Sequence, residues 1–418
     1  MRRFLILTFI LLGSICVFSQ TVWEDRVYSP IIKSVKFEKQ GVDFSLPVLK
    51  LSSTEKILLS FDELSEQTRQ YNYKIIHCNS DWTQSELQPQ DYIEGFETGY
   101  IETHRNSINT IQRYVHYQQA FPTDVMKFKE SGNYIIKVYE DGNEDNVVMT
   151  KRFMVTEDQV IINAGVKMAH LPSEQRIKQE ITVMLENRSI IPFSLPEKNV
   201  RVLVQQNGRQ DNIAQLKLHQ YTNNQLEYSY DTSNVFDAGN EFRAFDFTSL
   251  RICSQYVSNF DFENQEHIVR LRPVADRSQL VYTYQGDING YYFVRNDIDE
   301  NYELSSDYAW VCFYLQMPQS ISTDYYVWGE LSNWQCTEQN KMHYDERLRC
   351  YTTQIYLKQG LYNYMFMSLG HTGEQKYDIS TVEGNHSEAN NLYNIFVYYR
   401  KSGNNYDSLI GYTQIEYK

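Results

Sequence analysis

Apolar and polar residues alternate in short runs along most of this chain, and helical spacing is scarce. Ile181, Val183 and Leu185 share one face of such a run, and Val200, Val202 and Val204 share another. Val311, Phe313 and Leu315 mark a third. A period of two is the signature of half-buried strands. The second run meets Gln206-Asn-Gly-Arg209, whose Asn-Gly pair predicts a tight hairpin turn. Residues 58–69 alone read as a helical turn or two. The pattern therefore predicts a mainly β protein.

Two segments carry a tyrosine-corner signature, in which a Tyr two residues after a Gly closes one end of a sandwich. They are Glu130-Ser-Gly-Asn-Tyr134, leading into Ile136 and Val138, and Gln359-Gly-Leu-Tyr362, leading into Tyr364 and Phe366. Their separation places them in different sandwiches. The chain is long enough for about three domains of the usual ~100–150 residues. We expect consecutive immunoglobulin-like, early-set β-sandwiches over residues 22–156, 157–301 and 302–418. No Pro- or Ser-rich linker separates them, so they are expected to abut as one rigid rod.

The N-terminus changes the picture of where the chain works. Met-Arg-Arg precedes an apolar run from Phe4 to Ile15, which relaxes into Cys16-Val-Phe-Ser-Gln20. This reads as a secretory signal peptide over residues 1–19. The run is shorter than the roughly 20 apolar residues a membrane span needs. The whole chain carries a formal charge of −14, and the signal segment contributes two arginines and no acids. A surface this acidic argues against nucleic acid or anionic lipid as a partner. With 34 Tyr, 21 Phe and 5 Trp, the composition suits both pleated cores and protein interfaces.

Candidate chemistry is thin. Beyond the signal segment there are five cysteines, Cys78, Cys253, Cys312, Cys336 and Cys350, with no Cys-x-x-Cys among them. Cys336 and Cys350 flank one predicted hairpin and are a candidate disulfide. His77-Cys78 resembles a base and nucleophile pair, but neighbours on a strand point to opposite faces. One core and one surface residue is the simpler expectation. Asp297-Ile-Asp-Glu-Asn301 and Asp141-Gly-Asn-Glu-Asp145 begin like calcium loops, yet lack the sixth-position Gly and the twelfth-position acid. No metal, cofactor or catalytic residue is assigned.

One stretch suggests binding. Tyr325-Tyr-Val-Trp-Gly-Glu-Leu-Ser-Asn-Trp334, followed by Lys358-Gln-Gly-Leu-Tyr-Asn-Tyr-Met-Phe366, resembles early-set sandwiches of the glycogen-binding type. That resemblance implies that Trp334 stacks on a sugar face. A packed or interface tryptophan is the competing reading.

Further segments accumulate along the chain. They include His77-Cys-Asn-Ser-Asp-Trp82 with Ser85, Asp91-Tyr-Ile-Glu-Gly-Phe96, and Ser107-Ile-Asn-Thr110 with Tyr114-Val-His-Tyr117. Lys151-Arg-Phe-Met-Val155, Gly239-Asn-Glu-Phe-Arg243, Val397-Tyr-Tyr-Arg400 and Leu409-Ile-Gly-Tyr412 follow. Taken in this order they resemble the type IX secretion system plug family of Bacteroidetes. The resemblance implies a non-catalytic periplasmic protein, monomeric before docking, that closes the periplasmic mouth of the outer-membrane SprA-type translocon barrel. It implies no membrane insertion and carries over no interface residues. The alternatives are a periplasmic or surface carbohydrate-binding protein using Trp334, and a secreted cargo with a C-terminal sorting sandwich.

Overall fold

The computed structural model describes residues 22–417 except 190, 223 and 372–376. The expected signal peptide therefore lies outside the described residues. The protein is mainly β, with its strands arranged in antiparallel-dominated sheets. They form three units.

In the first unit, one sheet runs Arg26–Val27, Val147–Thr156, Gly132–Glu140, Tyr71–Cys78 and Thr98–Tyr100. It faces a second sheet of Ile32–Lys39, Ile57–Glu63, Val115–Phe121 and Thr103–Asn106. Between them lies an aromatic-rich core that includes Phe37, Phe61, Tyr117, Tyr134 and Phe153. The helical expectation for residues 58–69 fails here. Ile57, Leu59 and Phe61 alternate into the core and are fully buried, so the period of two decides for a strand. Both tyrosine corners form. The Tyr134 hydroxyl donates to the Glu130 carbonyl at 2.7 Å, and that of Tyr362 donates to the Lys358 carbonyl at 2.5 Å.

The second unit packs the sheet Val160–Met168, Lys178–Asn187, Gln225–Tyr228 and Gln220–Tyr221 against a sheet from two distant parts of the chain. In that sheet Val200–Gln206 pairs with Asn391–Tyr399 from Val200↔Tyr399 to Gln206↔Tyr393. Ser408–Tyr417 then pairs with Asn391–Tyr399. The last strands thus complete the middle sandwich, which corrects the expected borders at 157–301 and 302–418. The third unit is an insertion between Val235–Asp237 and Asn391–Tyr399. The reason is burial: Tyr393, Ile395 and Val397 fill the same core as Val200, Val202 and Val204. The Asn207-Gly208 turn forms, with the Arg209 amide donating to the Gln206 carbonyl at 3.2 Å. The returning strand begins only at Ala214, so the hairpin is looser than predicted.

The third unit packs Val257–Glu263, Glu266–Leu271, Tyr308–Gln316, Cys350–Lys358 and His343–Asp345 against sheets built around Gly360–Gly370. Its core stacks Phe245, Tyr292 and Tyr362, with ring centroids 5.0–5.2 Å apart.

Candidate functional site

Several of the segments that carry the family resemblance meet at the seams between the units. His77-Cys-Asn-Ser-Asp-Trp82 ends a first-unit strand and enters a turn that meets the last strands of the chain. There Asp407, itself 1% exposed, accepts from the Ser80 amide at 3.1 Å and the Ser80 hydroxyl at 2.8 Å. Arg400 Nε donates to its other oxygen at 2.8 Å, and Arg201 Nη1 reaches the Ser80 hydroxyl at 2.9 Å. Burial works against ionisation of Asp407, but the donors Arg400 and Ser80, with Arg201 nearby, hold its carboxyl below the usual range. Beside it, the Tyr398 hydroxyl donates to Asn133 Oδ1 at 2.7 Å, and Asn133 Nδ2 donates to the Asn79 carbonyl at 3.0 Å. Each of these side chains has a partner supplied by the other unit or by its own turn.

A second seam joins the first unit to the third. Asp62 is fully buried, and Lys358 is 2% exposed. The Lys358 ammonium lies 2.6 Å from Asp62 Oδ2, and the Tyr308 hydroxyl donates to the same oxygen at 2.7 Å. His116 Nδ1 sits 2.6 Å from Asp62 Oδ1. Burial opposes ionisation of Asp62, yet the ammonium and the imidazole outweigh it and lower its pKa. Close by, the Lys36 ammonium contacts Glu330 at 2.5 Å and lies 3.9 Å above the Tyr292 ring. Further along, the Asp307 carboxylate accepts from the amides of Ile111 and Gln112 at 2.7 and 3.1 Å. These amides directly follow the Ser107-Ile-Asn-Thr110 segment. The Tyr114 hydroxyl is 3.0 Å from the carbonyls of both Glu303 and Ser306.

The third seam is the neck of the insertion. Asn391 Nδ2 donates to the Ala238 carbonyl at 2.8 Å, and Gln179 Nε2 donates to the carbonyls of Ser387 and Ala389 at 2.8 Å. In Gly239-Asn-Glu-Phe-Arg243, Asn240 Nδ2 donates to the Glu383 carbonyl at 2.7 Å. Arg243 and Arg277 both grip the fully buried Glu383 carboxylate.

Trp334 sits in this joint and not on a sugar platform. Its indole packs edge-on against Trp328 at 4.8 Å, Tyr291 at 6.1 Å and Phe242 at 6.2 Å. Gly208 of the second unit and Gly290 of the third close on it. A Cβ at Gly208 would stand 2.7 Å from the ring, and one at Gly290 2.5 Å. The cavity beside it, bordered by Trp82, Arg152, Phe396 and Tyr398, measures about 100 Å³. That space suits a few waters, whereas ligand pockets usually run to about 300–1,000 Å³. The stacking role for Trp334 is therefore corrected to that of an inter-unit wedge.

The remaining candidates also resolve. Cys336 and Cys350 are free, as are Cys78, Cys253 and Cys312. Cys336 packs against the cluster of Phe242, Trp328 and Met365, while Cys350 opens a strand opposite Asp345. Sequence neighbours here face different surroundings. His77 and Cys78 do point apart, but both are buried, because Trp23 and Trp82 cover the outer face on which Cys78 lies. Burial pushes the Cys78 thiol up to about 12 and the His77 imidazole down to about 4. The two calcium-like loops are turns, and no group of three or more His, Cys, Asp or Glu is placed to hold a metal among the described residues.

The description "Type 9 secretion system plug protein 1st domain" matches residues 32–157, the span of the first unit. The chain belongs to the type IX secretion system plug protein family. It is also similar to a solved structure of a hypothetical protein from Parabacteroides merdae, at 33% identity and a TM-score of 0.92. That match covers 95% of this chain and 100% of the other. No curated protein matches it. Asp62, Lys358 and Asp307, which tie the first unit to the third, were missed by sequence reasoning. The available signal was a charged residue at the end of an alternating run, which a surface strand shows equally well.

Proposed function

We propose that this protein is a non-catalytic, periplasmic component of the type IX secretion system that docks on the inner mouth of an SprA-type outer-membrane translocon barrel and closes it. The observation that carries the reading is the set of seams. Three sandwiches are joined by buried polar networks, to which several of the segments that carry the family resemblance contribute. A wide pore needs a stopper that does not flex, and a stopper needs affinity without chemistry. Inter-domain contacts are commonly loose enough to permit relative motion, so seams of this kind call for a reason.

No helix of the described residues is long and apolar enough to cross a membrane. A further observation favours the reading. The secreted-cargo alternative needs a separable C-terminal domain, and the final strands are shared with the middle sandwich. The test is recovery of a C-terminally tagged copy from mild-detergent extracts of the native bacterium. The expected result is near-stoichiometric co-purification of the giant barrel and a tagged protein confined to the periplasmic fraction. Translocon present in the extract but absent from the eluate would refute the reading.

A further inference from the structure

The outer face of the third unit's larger sheet departs from the polar pattern expected of a solvated antiparallel face. Val269, Val311 and Leu357 point into the core. Their neighbours Ile268, Trp310 and Tyr356 point outward and are register partners across three adjacent strands. The Trp310 and Tyr356 rings lie 4.8 Å apart, and Tyr356 stacks on Tyr308 at 5.4 Å. The row does not stop at the sheet. The Tyr356 hydroxyl donates to Gln112 Oε1 at 3.3 Å, which brings up the first-unit loop carrying Ile108 and Ile111, 44% and 48% exposed. The Ile108 amide donates to the Leu304 carbonyl at 2.8 Å. The third-unit loop that leads to Leu304 carries Ile298, 68% exposed, and the Arg251–Asp297 pair at 3.3 Å adds Ile252, 72% exposed.

The centre of the apolar surface is held on paired strands, and its first-unit loop is pinned by Asp307. Its border is acidic. Asp261, Glu263 and Glu266 line the strand side, and Asp297, Asp299 and Glu300 the loop side. Arg270 is held by Asp261 at 2.5 Å and Arg251 by Asp297 at 3.3 Å, and although Arg295 and Arg113 flank the same loops, the acids stay in excess. A second copy of this face, or an anionic lipid surface, would set like charge against like.

We propose that this two-unit face is the docking surface for the translocon, and that it fits a protein surface with an apolar centre ringed by Lys and Arg. The inference rests on the plug reading and adds to it the site and its chemistry. Desolvated aromatics at the centre supply affinity, and the acidic border sets orientation and on-rate.

The test uses the full mature protein and detergent-purified translocon barrel from the native bacterium, with binding followed at low and physiological salt. Ile298→Asp with Ile252→Asp alters exposed loop tips, and Trp310→Glu alters the centre. Val281→Asp, at a 90% exposed position on another loop, is the control. The expected result is a loss of about tenfold or more in affinity for both face variants, none for the control, and a wild-type on-rate that falls with salt. Face variants that melt like wild type and bind the barrel equally well would overturn the docking surface while leaving the plug reading intact. A wild-type protein that does not bind the barrel would overturn both. Should Trp310→Glu fail to fold, the loop-tip variant decides.

Discussion

Asp62→Ala puts the weld between the first and third units to a quantitative test. The substitution leaves the Lys358 ammonium at 2% exposure with the Glu303 carbonyl at 2.6 Å and the Tyr114 ring at 4.1 Å, but no carboxylate. Removing one partner of a buried ion pair typically costs about 3–5 kcal/mol. The size of the melting shift then reports how much of the protein unfolds together. Unfolding entropy is about 2.1 cal/mol/K per residue, so a loss of about 4 kcal/mol lowers Tm by about 5 °C if all three units melt as one. If the first unit, roughly 130 residues, melted alone, the same loss would move its transition by about 15 °C. We expect a single calorimetric transition displaced by the smaller amount. Asp62→Leu with Lys358→Met removes both charges and should recover most of the loss, since paired apolar replacements are often neutral. A cost below about 1 kcal/mol for Asp62→Ala, or two transitions of which one stays put, would refute the idea of a single welded body.

Three further outcomes are expected. Gly208→Ala drives a methyl group into the Trp334 ring and should cost about 1–3 kcal/mol, read by thermal melting and a shift in tryptophan emission. Gly370→Ala, where a Cβ meets nothing within 4 Å, should not. Tyr362→Phe deletes one buried hydroxyl bond and should cost about 1 kcal/mol in chemical denaturation; no measurable change would show that this corner does not lock the sandwich. The pH profile of Tm should be domed. Burial, with help from Glu241, pushes the Asp287 carboxyl up to about 7, and burial with Glu330 does the same for Glu38. A raised acid stabilises most below its unfolded pKa, and that contribution is lost as pH rises through about 7. Asp62, Asp407 and Glu383 have lowered values, so their contribution is lost as pH falls through and below the ordinary carboxylate range. Glu241→Gln places an amide beside Asp287 and should raise Tm more at pH 8 than at pH 5.5; equal shifts at both would refute the coupling.

Much of the local architecture was legible in the sequence. Alternation located the strands around Ile181, Val200 and Val311, and the Gly-x-Tyr signatures located both tyrosine corners, because these are contacts within a few residues. Pairing between distant strands was not legible. Nothing in Val200-Arg-Val-Leu-Val204 says that its partner lies at Val397 and Ile395, since any β-branched run offers the same face. Alternation alone therefore puts a border at residue 301 and gives the last strands to the wrong sandwich. Trp334 shows the same limit at one residue. A Gly329 turn followed by Trp fits a sugar platform and a wedge equally well, and the choice is made by Gly208 from another unit. The Cys336–Cys350 pairing relied on proximity along the chain, and strand geometry overrode it.

The insertion bears directly on the proposed role. A third sandwich strung on one linker would swing about it. Here the chain crosses into and out of the third unit side by side, with Asn391 bonded to Ala238 and Asn240 to Glu383. The unit then rests on the first unit through Asp62, which holds Lys358 and Tyr308, and through the Ile111 and Gln112 amides, which hold Asp307. Tilting it away would strip Lys358 of its carboxylate, Asp307 of the Ile111 and Gln112 amides and Tyr114 of its carbonyl acceptors at once, each at a cost comparable to a lost buried bond or more. A stopper built this way has no low-energy internal opening. For the plug proposed here, freeing the pore is then a question of dissociation of the whole body, with its rate set by the docking face and not by a hinge.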